Sequence, residues 1–111
     1  MEITTQRFKH CDLVSVKGKV DSYTAPDLIK AFTVINNEGR FKIVLDLGKL
    51  EYMSSAGFRA LLVGQRTCKR YNRGEVVLAS VPKKILEAFE LTGFTPLFKF
   101  YNDVTSAVGN I

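Results

Sequence analysis

Apolar segments typical of strands alternate with amphipathic helices along this chain, and this alternation limits the folds available to it. Leu28, Ile29, Phe32 and Ile35 form one apolar stripe at helical spacing. The segment Phe41–Leu47 that follows is apolar on both faces, as expected of a central strand. Strands that alternate with helices pair in parallel and are joined by right-handed crossovers. The pattern therefore predicts an α/β fold.

The other segments extend the same pattern. The chain begins with a predicted hairpin within Ile3–Val16 that turns near His10. A second helix follows a short loop after Leu47 and closes at Asn72–Gly74. The remaining predicted elements are a strand over Glu75–Ser80, a helix opened by Pro82, a strand over Leu97–Tyr101 and a closing helix over Asp103–Val108. The hairpin makes the sheet mixed. We predict about five strands and about four helices in a single domain of residues 1–111, because domains typically have about 100–150 residues.

Composition restricts the class of protein further. A hydrophobic fraction of 46% can supply one core, and no apolar run approaches the ~20 residues that span a bilayer. The first residues lack the features of a signal peptide, so we expect a cytoplasmic protein. Cys11 and Cys68 lie far apart and form no metal-type spacing, which favours two reduced thiols. We therefore predict no metal site and no cofactor.

Charge leaves two interpretations open. The formal net charge is +5, and the basic residues are scattered. Arg59, Arg66, Arg70 and Arg73 fall on one side of the second helix, at spacings of seven, four and three. This side is either a solvated polar face or a docking face for an acidic partner. A nucleic-acid binder would interleave basic residues with exposed aromatic ones, so we predict no nucleic-acid partner.

Two serines, Ser54 and Ser55, stand where the second helix begins. A serine hydroxyl there can accept hydrogen bonds from the free backbone N–H groups of the first turn. The positive end of a helix also tolerates a phosphate group. A catalytic serine would need a base, and His10, at a predicted turn, is the only histidine. The chain has no nucleotide-binding glycine motif either, so we predict that it is not an enzyme.

In sequence, the chain resembles the STAS domain, and specifically the stand-alone anti-sigma-factor antagonists of bacteria. Three motifs in the family's order carry the resemblance. They are Val16–Asp21 with Thr24, Ala25 and Leu28; Ile43–Leu47 with Tyr52–Phe58, Leu61 and Leu62; and Leu91–Phe94 with Phe98, Tyr101 and Ala107.

The resemblance implies a partner switch. An antagonist of this kind binds an anti-sigma factor, usually a serine kinase, and releases it when the kinase phosphorylates a serine at the helix start; a serine phosphatase resets the switch. Alignment through Met53 and Gly57 places the phosphate acceptor on Ser55, with Ser54 less favoured. Ser54 stands where the family has aspartate, and Ala56 stands where it has a second serine.

The resemblance also indicates a surface for the partner around the acceptor. The predicted contacts are Asp21, Ser22 and Tyr23, in a loop expected beside the serines, together with Ser54, Ala56, Gly57 and Arg59. Asp21 has a second interpretation as the cap of a turn. The alternative function is a STAS scaffold or transport-complex subunit without phosphoryl control. The sequence leaves a homodimer open.

Overall fold

The computed structural model describes residues 1–71 and 74–111. In chain order the elements are β1 (Glu2–Arg7), β2 (Asp12–Val20), α1 (Ala25–Asn37), β3 (Lys42–Met53), α2 (Ser55–Arg70), β4 (Glu75–Ala79), α3 (Lys83–Thr92), a 3-10 turn (Thr95–Leu97), β5 (Phe100–Tyr101) and α4 (Val104–Asn110). Across these described ranges, the five strands and four helices confirm the predicted fold class.

The strands form one mixed sheet in which their spatial order follows the sequence, β1-β2-β3-β4-β5. The β1–β2 hairpin is antiparallel, and the pairs β2–β3, β3–β4 and β4–β5 are parallel. Each parallel pair needs a crossover, which α1, α2 and α3 supply in turn. The carboxyl ends of β2 and β3 therefore lead directly into α1 and α2. The loop before α1 and the junction before α2 consequently lie at the same edge of the sheet.

Alternate residues of the central strand pack on opposite faces of the sheet. Ile43 and Leu45 belong to the larger core, which includes the apolar residues of α1, α2 and α3. Val44 belongs to a smaller cluster with Ala107 of α4. Three helices thus cover one face of the sheet and the short α4 covers part of the other.

β3 is longer than predicted, and the short loop expected after Leu47 is wrong. The strand continues to Met53, which pairs with Val20 at the end of β2. Leu50 and Met53 are buried, so the extension carries its own part of the core. Gly18, which has a φ of +95°, allows β2 to bend and follow this extension through a shift in register.

The last predicted strand is shorter than expected. Pro96 lies in the 3-10 turn Thr95–Leu97, so only Phe100 and Tyr101 pair with β4. The turn includes Leu97, and the Phe98 N–H donates back to the Thr95 carbonyl at 3.2 Å, so the strand begins only after these residues. Helix α2 ends at Arg70. Residues 72 and 73 of the predicted closing segment lie outside the described residues.

Candidate functional site

Ser54 and Ser55 mark the junction between β3 and α2. Ser54 is the N-cap residue, with an extended backbone at φ −79° and ψ 173°, and Ser55 is the first residue of the helix. The Ser54 N–H donates to the Val20 carbonyl at 2.8 Å, which ties the junction to the end of β2. Ser55 is exposed, whereas Ser54 is partly buried. The favoured acceptor is therefore the accessible one of the two serines.

Neither serine caps α2 through its side chain, contrary to the capping interpretation of the sequence. The Ser54 Oγ is buried and has no hydrogen-bond partner in the part of the chain that the structure describes. The first-turn N–H groups of α2 consequently receive no side-chain acceptor. At the positive end of a helix, such groups are suited to a phosphate or to an acidic group from another molecule.

The two residues after the serines, Ala56 and Gly57, pack the first turn of α2 closely against the strands. Ala56 is partly buried and packs against the core, and Gly57 is buried. A Cβ atom on Gly57 would lie 2.5 Å from Met53 Cγ and 3.0 Å from Val20 Cγ1. Only glycine fits at this distance, so Gly57 sets how closely α2 approaches the strands before it.

The loop of Asp21, Ser22 and Tyr23 lies beside the serine junction, because Val20 pairs with Met53 and accepts from Ser54. All three loop residues are exposed, and Tyr23 is 89% exposed. A large aromatic side chain so open to solvent is available for contact with another protein.

Asp21 caps its turn. Its Oδ1 accepts from the Tyr23 N–H at 3.0 Å, the Thr24 N–H at 3.0 Å and the Thr24 hydroxyl at 3.1 Å. These bonds, above all the one from the Thr24 backbone, lower the pKa of Asp21 because they stabilise the charged form. The capping role is compatible with the predicted contact role, which stays a prediction.

A shallow groove of about 430 Å³ lies between α2 and α3, directly beside Ser55. Its polar wall includes Ser55 and Arg59, and its apolar wall includes Phe58 and Leu91. Leu91 is 90% exposed. Leu91 was not predicted to be a surface residue. The sequence signal was its position two residues after Phe89, which places it about 200° around the helix from the inward stripe of α3.

The outward face of α2 carries Arg59, Arg66 and Arg70, all exposed as the spacing predicted. Arg73, the fourth residue of the predicted set, lies outside the described residues. In the described ranges, the ion pairs are Arg7–Glu38, Arg40–Asp12 and Lys99–Glu75, so none of them neutralises this face.

The groups that could support other chemistry lie elsewhere. His10 is in the hairpin before β2, at the opposite end of the long β3 from Ser55. Both cysteines are buried and free, and burial raises the pKa of each thiol. Among residues 1–71 and 74–111, His, Cys, Asp and Glu form no cluster of three suited to a metal. Within the same ranges, no helix is long and apolar enough to cross a membrane.

The sheet order, the three helices on one face and the serine junction define a known class. A family model described as the STAS domain matches residues 2–107. The chain therefore belongs to the STAS domain family, and the resemblance seen in the sequence is confirmed.

The relatives of the chain include proteins named for one function. BtrV of Bordetella bronchiseptica, a candidate anti-sigma factor antagonist, is 31% identical over 107 residues, which cover 96% of this chain and 91% of BtrV. The anti-sigma-B factor antagonist of Listeria monocytogenes is 29% identical over 99% of this chain and 95% of its own. A structure of a candidate anti-sigma factor antagonist from Thermotoga maritima has a TM-score of 0.90 at 18% identity, covering 98% and 93% of the two chains. That likeness supports the fold.

Proposed function

We propose that this chain is an anti-sigma-factor antagonist. It binds an anti-sigma factor that is a serine kinase, and phosphorylation of Ser55 ends the binding until a serine phosphatase removes the phosphate. The chain itself acts by binding and performs no catalysis. The observation that carries the proposal is the exposed Ser55 at an uncapped helix start, in a family whose relatives here are named for this function.

The structure supports a switch that acts at the surface and leaves the fold intact. A phosphoserine adds about −1.5 to −2 charges. At the first residue of α2 this charge meets the positive end of the helix, an interaction worth about 0.3–1 kcal/mol at an exposed site. The same charge inside a protein interface is desolvated, which costs several kcal/mol where the partner offers it no cation. A cost of ~4 kcal/mol corresponds to a thousandfold loss of affinity.

The acceptor is tested by mass spectrometry after incubation with ATP and a purified anti-sigma factor kinase that binds the chain. We expect one phosphate on the wild type and on Ser54→Ala, and none on Ser55→Ala. Phosphate on Ser55→Ala at the wild-type rate would refute the assignment. A wild-type chain that takes no phosphate but still joins a larger assembly would instead support the scaffold or transport-complex function.

The switch is tested by calorimetric binding to the same kinase without ATP. Ser55→Asp should fold normally and lose at least about a hundredfold in affinity, because ~3 kcal/mol or more is lost at the interface. Thr105→Asp is the matched control, since Thr105 is an exposed residue in the first turn of α4. It adds the same charge to a helix start outside the proposed interface and should bind as the wild type does. Equal losses in both variants would contradict the proposal.

A further inference from the structure

The basic face of α2 begins at the proposed phosphate acceptor. Ser55, Arg59, Arg66 and Arg70 are spaced by four, seven and four residues, so they lie along one outward stripe of the helix. At 1.5 Å per residue this stripe is about 22 Å long. Val63, 42% exposed, lies within it. We call these five residues the α2 stripe.

All the charged residues of α2 are basic. The segment Ser55–Arg70 contains Arg59, Arg66, Lys69 and Arg70 and no acidic residue, so α2 contributes +4 to a chain whose net charge is +5. Like charges four residues apart, such as Arg66 and Arg70, destabilise a helix. The described ion pairs offer them no carboxylate in compensation. An unneutralised stripe of this kind favours an acidic partner.

The groove between α2 and α3 adds an apolar anchor beside the head of the stripe. Leu91 and Phe58 line it together with Ser55 and Arg59. An apolar side chain that enters the groove would cover Leu91, which is 90% exposed. Protein interfaces commonly combine such an apolar centre with a charged rim. Single-stranded nucleic acid would instead need exposed aromatic side chains for stacking, and the stripe has none.

We infer that the α2 stripe and the adjoining groove dock an acidic surface of the anti-sigma factor that carries a projecting apolar side chain. The inference rests on the proposed function and specifies the partner's chemistry. An acidic partner surface also explains why phosphorylation would end binding and not strengthen it. A phosphate on Ser55 places negative charge at the head of a stripe that recognises negative charge, so the acidic partner is repelled and Arg59 is neutralised.

The test measures binding of the unphosphorylated chain to the purified anti-sigma factor kinase, without ATP, by calorimetry at 0.1 M and 1 M salt. Arg66→Glu lies three turns from Ser55, so it tests the stripe apart from the phosphate site. We expect it to lose at least tenfold in affinity at 0.1 M salt and much less at 1 M. The Debye length falls from about 10 Å to about 3 Å between these salts. Lys9→Glu, exposed in the hairpin at the other end of the sheet, should change affinity less than about twofold.

Leu91→Asp tests the groove and should lose at least tenfold in affinity at both salts. Val34→Asp, at a residue of α1 that is 52% exposed, is its control and should bind as the wild type does.

Arg66→Gln replaces Arg66→Glu if the reversed charge prevents folding. Wild-type binding that survives both Arg66→Glu and Leu91→Asp overturns this inference alone. An absence of wild-type binding overturns the proposed function and this inference with it. Duplex DNA that displaces the kinase from the wild type but not from Arg66→Glu would also overturn it.

Discussion

The two helices that leave the carboxyl ends of β2 and β3 begin in different ways. Before α1, Asp21 accepts three hydrogen bonds from Tyr23 and Thr24, which fix the turn. Before α2, the Ser54 hydroxyl is buried without a partner in the described structure. The start of α2 is held instead by the Ser54 N–H bond to Val20 and by the close packing of Gly57. One start is fixed by side-chain hydrogen bonds, and the other by a backbone hydrogen bond and by packing.

This difference suits the two starts to different roles. A turn whose polar groups are paired is rigid, and a rigid surface is suited to contact with another protein. Neither helix has a side-chain cap, but the Ala25 and Asp27 N–H groups of α1 donate to backbone carbonyls, whereas in the described part of the chain the first N–H groups of α2 are free for an incoming acceptor. A phosphate on Ser55 therefore displaces no existing hydrogen bond of the α2 start. The proposed acceptor therefore lies on the start where an added charge meets free N–H groups at the positive end of a helix.

The largest effect should come from filling the space at Gly57. Gly57→Val places atoms against Met53 and Val20, where even a Cβ would lie at 2.5 Å and 3.0 Å. Overpacking of this kind typically costs 1–3 kcal/mol, and we expect a loss of about 3 kcal/mol in the free energy of unfolding, measured with urea. Gly109→Val is the control, because a Cβ on Gly109 meets nothing within 4 Å. It should change stability by less than about 0.5 kcal/mol. Equal effects would show that packing does not hold the start of α2.

The sequence predicted the parts of this arrangement that depend on periodicity. The position of Ser55 at a helix start followed from the apolar pattern around Phe58 and Leu61, and the family resemblance placed the acceptor there. The length of β3 was not predictable from alternation, because two register shifts, between Asp46 and Lys49 and between Leu50 and Tyr52, interrupt the pattern. The missing cap and the groove at Leu91 depend on side-chain positions set by tertiary packing, which local spacing does not encode.

A smaller effect is expected at the turn before α1. Asp21→Ala removes three acceptor bonds and should lower the melting temperature at pH 7 more than Asp27→Ala, an exposed acidic residue in the first turn of the same helix. The lowered pKa of Asp21 means that the folded protein binds this proton less tightly than the unfolded chain. Its contribution is complete above the unfolded pKa of about 3.9, and it is lost as pH falls through the lower folded pKa.

The pH dependence gives this prediction its check. The difference in melting temperature between wild type and Asp21→Ala should shrink as the pH is lowered from 5 towards 2, followed by circular dichroism. A difference that stays constant over this range would mean that the carboxylate does not fix the turn.

The smallest effect should come from Ser54→Ala, and its small size is the informative result. Replacing an N-cap serine with alanine usually costs about 1 kcal/mol, because a hydrogen bond to the first turn is lost. The Ser54 hydroxyl makes no such bond, and a buried polar group without a partner is itself unfavourable. We therefore expect a change within about 0.5 kcal/mol in the free energy of unfolding. Asp103→Ala is the control, since Asp103 caps α4 by accepting from the Ser106 N–H at 2.7 Å, and it should be clearly destabilising. A cost of ~1 kcal/mol for Ser54→Ala would show that the hydroxyl caps α2 in solution, and phosphorylation of Ser55 would then have to compete with that cap.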